Sequence, residues 1–254
     1  MTIPSARALR ARRHFEEPAD GSLPEHHHRN VQGGGARAAV FGLSDGLVSN
    51  VSLVLGVAGA SPGNAFIRLA GLAGLLGGAF SMAAGEYVSM RAQRELLQRE
   101  LEIERREISR RPVAEHRELA LIYQRRGITP EMASELASKM MATPELALET
   151  HAREELGIST MSLGSPWQAA VSSFVAFAIG ALVPLLPFLF MHSSSATVVA
   201  IVAAAVASLG IGAALSYFTG RSWQWSAARQ LFVCAAAGAA TYGIGKLIGV
   251  TGGG

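Results

Sequence analysis

Five long apolar stretches, separated by polar segments, form the main pattern of this 254-residue sequence. They run through residues 36–60, 65–90, 167–190, 196–218 and 227–250. Each is long enough to cross a membrane, because a hydrocarbon core of about 30 Å is spanned by ~20 apolar residues in a helix. The pattern therefore predicts an all-α integral membrane protein with five transmembrane helices.

Charged residues are concentrated between the second and third apolar stretches. Residues 92–165 contain 13 of the 19 acidic residues, whereas residues 166–254 contain none. The helix of the second span is expected to continue into this segment to about Arg110 and to end before Pro112. Two helix-start signals, Thr129-Pro130 and Thr143-Pro144, predict further helices in it. The chain is then expected to divide into an N-terminal tail (1–35), transmembrane helices 1–2 (36–91), an inserted helical domain (92–165) and transmembrane helices 3–5 (166–254).

Positively charged residues indicate how the chain is oriented in the membrane. Arginine is frequent in the N-terminal tail, in the segment 92–165 and in the loop 219–229, and loops rich in positive charge stay in the cytoplasm. The tail and the inserted domain are therefore expected to be cytoplasmic, and the C-terminus outside. Arginine outnumbers lysine 20 to 2, a bias typical of GC-rich bacterial genomes, so the expected location is a bacterial plasma membrane.

Composition also limits the partners and the chemistry of the chain. The basic residues form no patch interleaved with aromatic residues, so membrane lipid rather than nucleic acid is the expected partner. The sequence has no phosphate-binding loop, and we expect a protein that is not an enzyme. Three adjacent histidines, His26–His28, could collect metal ions, but no role follows from them alone.

Four glutamates in the inserted domain flank a proline. Glu104, Glu107, Glu115 and Glu118 are spaced by 3, 8 and 3 residues around Pro112. Residues three apart share a helix face, so the two carboxylates of each pair repel unless a cation lies between them. A hairpin at Pro112 would combine both pairs into an oxygen-rich site for a divalent metal ion. The alternative is a solvated helix face neutralised by neighbouring arginines, and the spacing alone leaves both open.

The end of the inserted domain offers further ligands for such a site. His151, Glu154 and Glu155 lie close together in the sequence. Ferritin-like centres require Glu-x-x-His motifs from two helices, and the inserted domain contains none. A ferritin-like oxidase is therefore disfavoured.

The apolar stretches contain a second candidate site. Asp45 and Glu86 are the only carboxylates in these stretches, and an intramembrane carboxylate costs at least ~2.5 kcal/mol, which marks it as a functional candidate. Counted from Arg37 and Arg91, Asp45 and Met82 lie at matched depth on antiparallel helices. A carboxylate with a thioether favours a transition metal over Mg²⁺ or Ca²⁺. The alternatives are a helix-packing hydrogen bond for Asp45, a lipid-facing position for Met82 and an ion pair with Arg91 for Glu86.

These segments resemble the vacuolar iron transporter family. The sequence FGLSDGLVS at 41–49 resembles the first helix of that family, and SMAAGEYVS at 81–89 resembles its second. The 3-8-3 glutamate spacing and the ending Glu155-Leu156-Gly157 resemble its cytoplasmic metal-binding domain. The resemblance extends over nearly the whole chain, from about residue 26 to residue 249.

The resemblance implies a five-span homodimer whose ion path follows the two first spans. It implies Asp45 and Met82 as the intramembrane ligands of a divalent cargo, Fe²⁺ or Mn²⁺, that is exchanged for protons, with no permanently bound cofactor. The cytoplasmic ligands that it implies are Glu104, Glu107, Glu115, Glu118 and Glu155. Plant members have a methionine pair before the last glutamate, whereas this chain has His151 and Ala152 there.

The function expected from these observations is export of Fe²⁺ or Mn²⁺ from the cytosol by proton antiport. Two other functions stay open from the sequence. The chain could be a membrane metal sensor or scaffold that does not transport, or a passive metal channel.

Overall fold

The computed structural model describes residues 34–60, 63–155, 157, 164–191 and 193–251. Within these residues every regular element is a helix. The eight helices are α1 (Gly34–Gly59), α2 (Asn64–Arg110), α3 (Pro112–Arg125), α4 (Pro130–Met140), α5 (Pro144–Glu154), α6 (Pro166–Phe190), α7 (Ser193–Thr219) and α8 (Trp223–Thr251). The N-terminal tail and the His26–His28 cluster lie outside the described residues.

Five of these helices are long and apolar enough to cross a membrane: α1, α2, α6, α7 and α8. The predictions of an all-helical fold and of five spans are therefore confirmed. The last two spans are longer than expected, because α7 already begins at Ser193 and α8 at Trp223. Their polar or aromatic first turns extend helices whose centres are apolar, so the connecting loops are shorter than the hydropathy pattern indicates.

Helix α2 is much longer than a membrane is thick. Its 47 residues extend for about 70 Å at ~1.5 Å per residue, more than twice the ~30 Å hydrocarbon core. The apolar part ends near Met90, and the charged part continues from Arg91 to Arg110 without interruption. Pro112 ends the helix because proline cannot continue a hydrogen-bonded turn and restricts the residue before it. Residues near Arg110 therefore lie outside the membrane but are rigidly connected to the second span.

Three short helices follow the charged part of α2. Each of α3, α4 and α5 has proline in its first turn, as the Thr-Pro signals predict for the last two. The hydroxyl of Thr143 accepts a hydrogen bond from the amide of Leu146, whereas Thr129 occupies the N-cap position without a side-chain bond. Helices α3 and α4 share an apolar core that consists of Leu119, Ala120, Tyr123, Ala133 and Ala137.

Helix α1 is the central element of the apolar region, since it contacts α2, α6, α7 and α8. Its contact with α6 is a backbone-to-backbone approach. A Cβ atom at Gly46 would overlap the carbonyl group of Phe177, and a Cβ at Gly180 would overlap the carbonyl oxygen of Leu43. Small residues at helix interfaces permit such close packing in lipid, where hydrophobic burial does not drive association.

We expect Gly46→Ala to destabilise the protein by roughly 1–3 kcal/mol, because the added methyl group meets backbone that cannot rotate away. The matched control is Gly210→Ala in α7, where a Cβ meets nothing within 4 Å. This control should be neutral or stabilising by up to ~1 kcal/mol, since alanine favours helix over glycine. Thermal unfolding in detergent measures both variants, and equal midpoints would contradict the packing argument.

Candidate metal centre

The turn between α2 and α3 brings the two pairs of glutamates together. Only Arg111 separates the helices, and its amide donates a hydrogen bond to the carbonyl oxygen of Glu107. Helix α5 packs against α2 beside this turn. As a result Glu104 and Glu115 are only 5 % and 6 % exposed. They are the inner residues of a cluster that the hairpin hypothesis anticipates.

His151 of α5 completes the inner part of this cluster and is fully buried. Its Nδ1 atom lies 3.1 Å from Glu104 Oε1, 3.9 Å from Glu115 Oε2 and 3.8 Å from Glu155 Oε2. One ligand atom from each of Glu104, Glu115 and His151 falls within 4.8 Å of the others. Bonds of about 2.1 Å to a common ion hold ligand atoms no more than ~4.2 Å apart, so small side-chain movements suffice for shared coordination.

The buried polar atoms of this cluster have no hydrogen-bond partners among the described residues. These atoms are Glu104 Oε1 and both ring nitrogens of His151; the 3.1 Å contact between them is not aligned for a hydrogen bond. Buried polar groups are nearly always paired, because leaving one unpaired costs about 1–3 kcal/mol. Glu104 Oε1 and His151 Nδ1 lie 3.1 Å apart without hydrogen-bond partners, which is the arrangement expected of two ligands of one metal ion.

The electrostatics of the cluster also favour a cation. The charged part of α2 lies outside the membrane, and there burial raises the pKa of Glu104 from 4.5 to about 7. Repulsion adds to this shift of the Glu104 pKa, and it comes from the charges of Glu155, Glu115, Glu107 and Glu118. Burial likewise raises the pKa of Glu115 and of Glu155 and lowers that of His151. A neutral imidazole and several repelling carboxylates together form a site that a divalent ion would stabilise.

The remaining predicted ligands lie at the edge of the cluster. Glu107, Glu118 and Glu155 are exposed, yet the charges of all three raise the pKa of the buried Glu104. Glu154 is directed elsewhere, because it forms an ion pair with Arg126. The cluster therefore has a buried inner part and an acidic, solvent-accessible edge through which an ion could enter.

The neutralised helix face, the alternative reading of these glutamates, does not describe the inner residues. Arg105 and Arg106 both pair with Glu102, each at 3.1 Å. Since Glu104 and Glu115 are buried without these arginines, the solvated-face hypothesis is wrong for them. The hypothesis holds for Glu102, which lies on the opposite, solvent-exposed face of α2 and pairs with both arginines.

A separate cavity lies between α1, α2 and α6 in the apolar region. Its volume is about 420 Å³, and Asp45, Met82 and Glu86 all line it. The matched depth expected for Asp45 and Met82 thus corresponds to a shared cavity. Gly74, Gly78 and Gly85 form much of the α2 wall, and their missing side chains leave the space open.

Glu86 has a different partner from the one expected. Its carboxylate lies 3.6 Å from the guanidinium of Arg37 in α1, whereas Arg91 pairs with Glu95 at 2.6 Å. The predicted ion pair with Arg91 is wrong because that arginine is better aligned with a residue one turn further along its own helix. Arg37 and Glu86 also line a neighbouring cavity of about 270 Å³, which shares Met82 with the first.

Two residues of these cavities are missed by the sequence reasoning. Asn50 lines the larger cavity and Arg37 the smaller one. An amide in an apolar stretch is a visible signal for Asn50, but its spacing from Asp45 does not reveal a common cavity. The contact of Arg37 with Glu86 joins two helices, so no local pattern could have indicated it.

Comparison with known proteins identifies the family. The sequence model of the VIT family matches residues 36–246, which include most of every candidate span. The chain belongs to the VIT family. A protein of Acanthamoeba castellanii named vacuolar iron transporter is 36% identical over 87% of this chain and 82% of its own length. Vacuolar iron transporter 1 of Arabidopsis thaliana is 30% identical over 91% of this chain and 94% of its own length.

VIT family membership confirms the resemblance found in the sequence. Rice vacuolar iron transporter homolog 1 is a further relative, 35% identical over 85% of this chain and 75% of its own length. The expectation that the chain is not an enzyme agrees with these relatives, which are named as transporters. Together with the five apolar helices, membership shows an integral membrane protein.

The raised pKa of Glu104 predicts how the stability of the metal-free protein depends on pH. Between about pH 4.5 and 7 the folded state holds a proton that the unfolded state has lost, so stability falls as pH rises through this window. Glu104→Gln removes this dependence. Thermal unfolding with a chelator from pH 4.5 to 8 should therefore show a smaller decline for Glu104→Gln than for the unmodified protein. The matched control is Glu102→Gln, from the exposed face of the same helix, and an equal decline in all three would contradict the assignment.

Metal ions should reverse this destabilisation. We expect Mn²⁺ to raise the unfolding midpoint, and to raise it more at pH 8 than at pH 6, because Glu104 must lose its proton to bind. His151→Ala should abolish most of the increase. His116→Ala is the control, since that imidazole bonds Ser134 and Ser138 rather than the cluster. An increase that survives in His151→Ala and disappears in His116→Ala would refute the proposed ligand set.

Proposed function

We propose that this chain exports Fe²⁺ from the cytosol across the membrane in exchange for protons, and that Mn²⁺ is a second cargo. The observation that carries the proposal is the continuity of α2. One uninterrupted helix contributes Met82 and Glu86 to the intramembrane cavity and Glu104 to the buried cluster. The names of the relatives, vacuolar iron transporters, support iron as the cargo.

The cluster is a loading site on the cytoplasmic side. Its ligands are Glu104, Glu107, Glu115, Glu118, His151 and Glu155. The positive-inside rule supports a cytoplasmic N-terminus, a cytoplasmic domain 92–165 and an outside C-terminus, and the excess of arginine supports a bacterial plasma membrane. An ion captured at the acidic edge would be held close to the inner end of the second span.

The chemistry of the ligands supports a first-row transition metal. Carboxylates suit Mn²⁺, imidazole suits Fe and other late transition metals, and a thioether such as Met82 selects against hard cations. The ion is the substrate here, and the proposal includes no permanently bound cofactor. His151, where plant members have methionine, makes the loading site of this chain harder and more basic than a thioether site.

Proton coupling follows from the role of Asp45. A carboxylate that binds either a metal ion or a proton, but not both, links the movement of the two in opposite directions. Residues 166–254 contain no acidic residue, and Glu86 lies beside Arg37. Asp45 is therefore the intramembrane group best suited to exchange a cation for a proton.

A homodimer explains the exposure of Asp45. In the single chain Asp45 is exposed, and a carboxylate that faced lipid at the membrane centre would cost at least ~2.5 kcal/mol. A second copy packed against α1 would cover it. The exposure of Asp45 therefore supports a dimer whose two first spans flank the ion path.

We expect Asp45→Ala to abolish metal-dependent transport in proteoliposomes with an imposed pH gradient, because the group that exchanges ion and proton is lost. Replacing Glu104, Glu107, Glu115 and Glu118 together by glutamine should leave membrane insertion intact but remove metal binding on the cytoplasmic side. Glu102→Gln should transport as the unmodified protein does.

Three outcomes distinguish the functions. Transport at the unmodified rate in Asp45→Ala would refute the proposed path. Flux that does not depend on the pH gradient would indicate a passive channel. Metal binding without any flux would indicate a sensor or scaffold.

A further inference from the structure

Asn50 is a buried polar side chain in the Asp45 cavity that the transport mechanism above does not use. It belongs to α1 and is 1 % exposed. Its Nδ2 atom donates a hydrogen bond of 2.6 Å to the main-chain oxygen of Ala181 in α6. A main-chain oxygen can only accept, so the amide nitrogen must face α6. The orientation of the whole amide group is thereby determined.

The other half of the amide is left without a partner. Asn50 Oδ1 is buried and has no hydrogen-bond partner among the described residues, although Asn50 lines the same cavity as Asp45 and Met82. A structural role in helix packing explains the bond to Ala181 but not the unpaired oxygen. Buried acceptors without partners are uncommon, and each calls for a group that satisfies it.

A glycine on the opposite wall leaves room for this oxygen. A Cβ atom at Gly74 of α2 would lie 2.9 Å from Asn50 Oδ1, closer than side-chain carbons approach an amide oxygen. Asn50 follows Asp45 by five residues and Gly74 precedes Met82 by eight, so both lie on the same side of the Asp45–Met82 pair, about 7–12 Å along the helix axes. In the proposed orientation this is the side away from the cytosol.

We propose that Asn50 Oδ1 is a further ligand for the transported divalent ion and receives it on the outward side of Asp45 and Met82. This inference rests on the proposed transport function. A neutral amide oxygen coordinates a divalent cation through its dipole. Because it carries no charge, it holds the ion less strongly than the carboxylate does, which suits a ligand near the exit. The bond to Ala181 keeps the oxygen aimed into the path.

The first test is Asn50→Leu, which keeps the approximate size of the side chain and removes the oxygen. In proteoliposomes with Fe²⁺ kept reduced by ascorbate, we expect the maximal transport rate to fall about tenfold or more, since an ion–dipole contact is lost on the way out. The KM for the cytoplasmic side should change little, because loading takes place before the ion reaches Asn50. Rates are compared per folded transporter, with the folded fraction measured by thermal unfolding in detergent, so that a fall caused only by lost packing is separated from the loss of a ligand.

A second variant narrows the space beside Asn50 Oδ1 without altering Asn50. Gly74→Ala adds a methyl group in front of the oxygen, but it also contacts Leu53. We therefore compare Gly74→Ala/Leu53→Ala with Leu53→Ala alone, and expect the double variant to be the slower of the two. Gly77→Ala, on the same helix with nothing within 4 Å of its Cβ, controls for alanine in α2.

The outcomes separate this inference from the transport proposal. If Asp45→Ala is inactive while Asn50→Leu and Gly74→Ala/Leu53→Ala keep the rates of their references, the role of Asn50 is refuted and the transport proposal stands. If Asp45→Ala transports at the unmodified rate, the transport proposal itself fails. If Asn50→Leu does not fold, the Gly74 comparison decides alone, because the bond between Asn50 and Ala181 is retained there.

Discussion

The structure depends on the continuity of α2 from Asn64 to Arg110. A membrane span ordinarily ends near the interface, but here no proline or capping signal interrupts the helix until Pro112. Since an α-helix rises ~1.5 Å per residue, Glu104 is held roughly 20 Å beyond the last apolar turn near Met90. The turn at Arg111 then brings Glu115 of α3 next to Glu104, and α5 packs against α2 and adds His151. The buried cluster therefore exists only because α2 extends rigidly out of the apolar region.

This arrangement concentrates unfavourable electrostatics at one point. Glu104 and Glu115 are buried beside a neutral imidazole, without the neighbouring arginines that would neutralise them on a solvated surface. Burial and mutual repulsion raise the pKa of Glu104 to about 7, so at neutral pH the cluster is only partly ionised. A divalent ion would displace the remaining protons and bind the unpaired Glu104 Oε1 and His151 Nδ1, which links occupancy of the cluster to the stability of the helices around it.

The intramembrane cavity is shaped by contacts between helices rather than by repulsion among carboxylates. Two of its polar groups are oriented by another helix: Glu86 by Arg37, and Asn50 by the main chain of α6. Glycines on α2 lack the side chains that would fill the cavity. Close backbone contact at Gly46 fixes the position of α1 against α6. The buried glutamate–histidine cluster and the cavity have α2 in common, so a change in one can reach the other through that helix.

The sequence by itself determined the number of spans, the long charged extension of α2 and the helix break at Pro112. These are local properties, because hydropathy, charge and proline act on the chain over one or two turns. Asp45 and Met82 could be paired by depth alone, since helical rise converts position into distance. Only the tertiary structure decided that Glu104 and Glu115 are buried with His151. It also decided that Glu102 pairs with Arg105 and Arg106. The ion pair of Glu86 with Arg37 and the unpaired oxygen of Asn50 were likewise visible only in the folded chain. Each of these depends on which faces of separate helices meet, and that choice follows from packing across residues distant in the sequence.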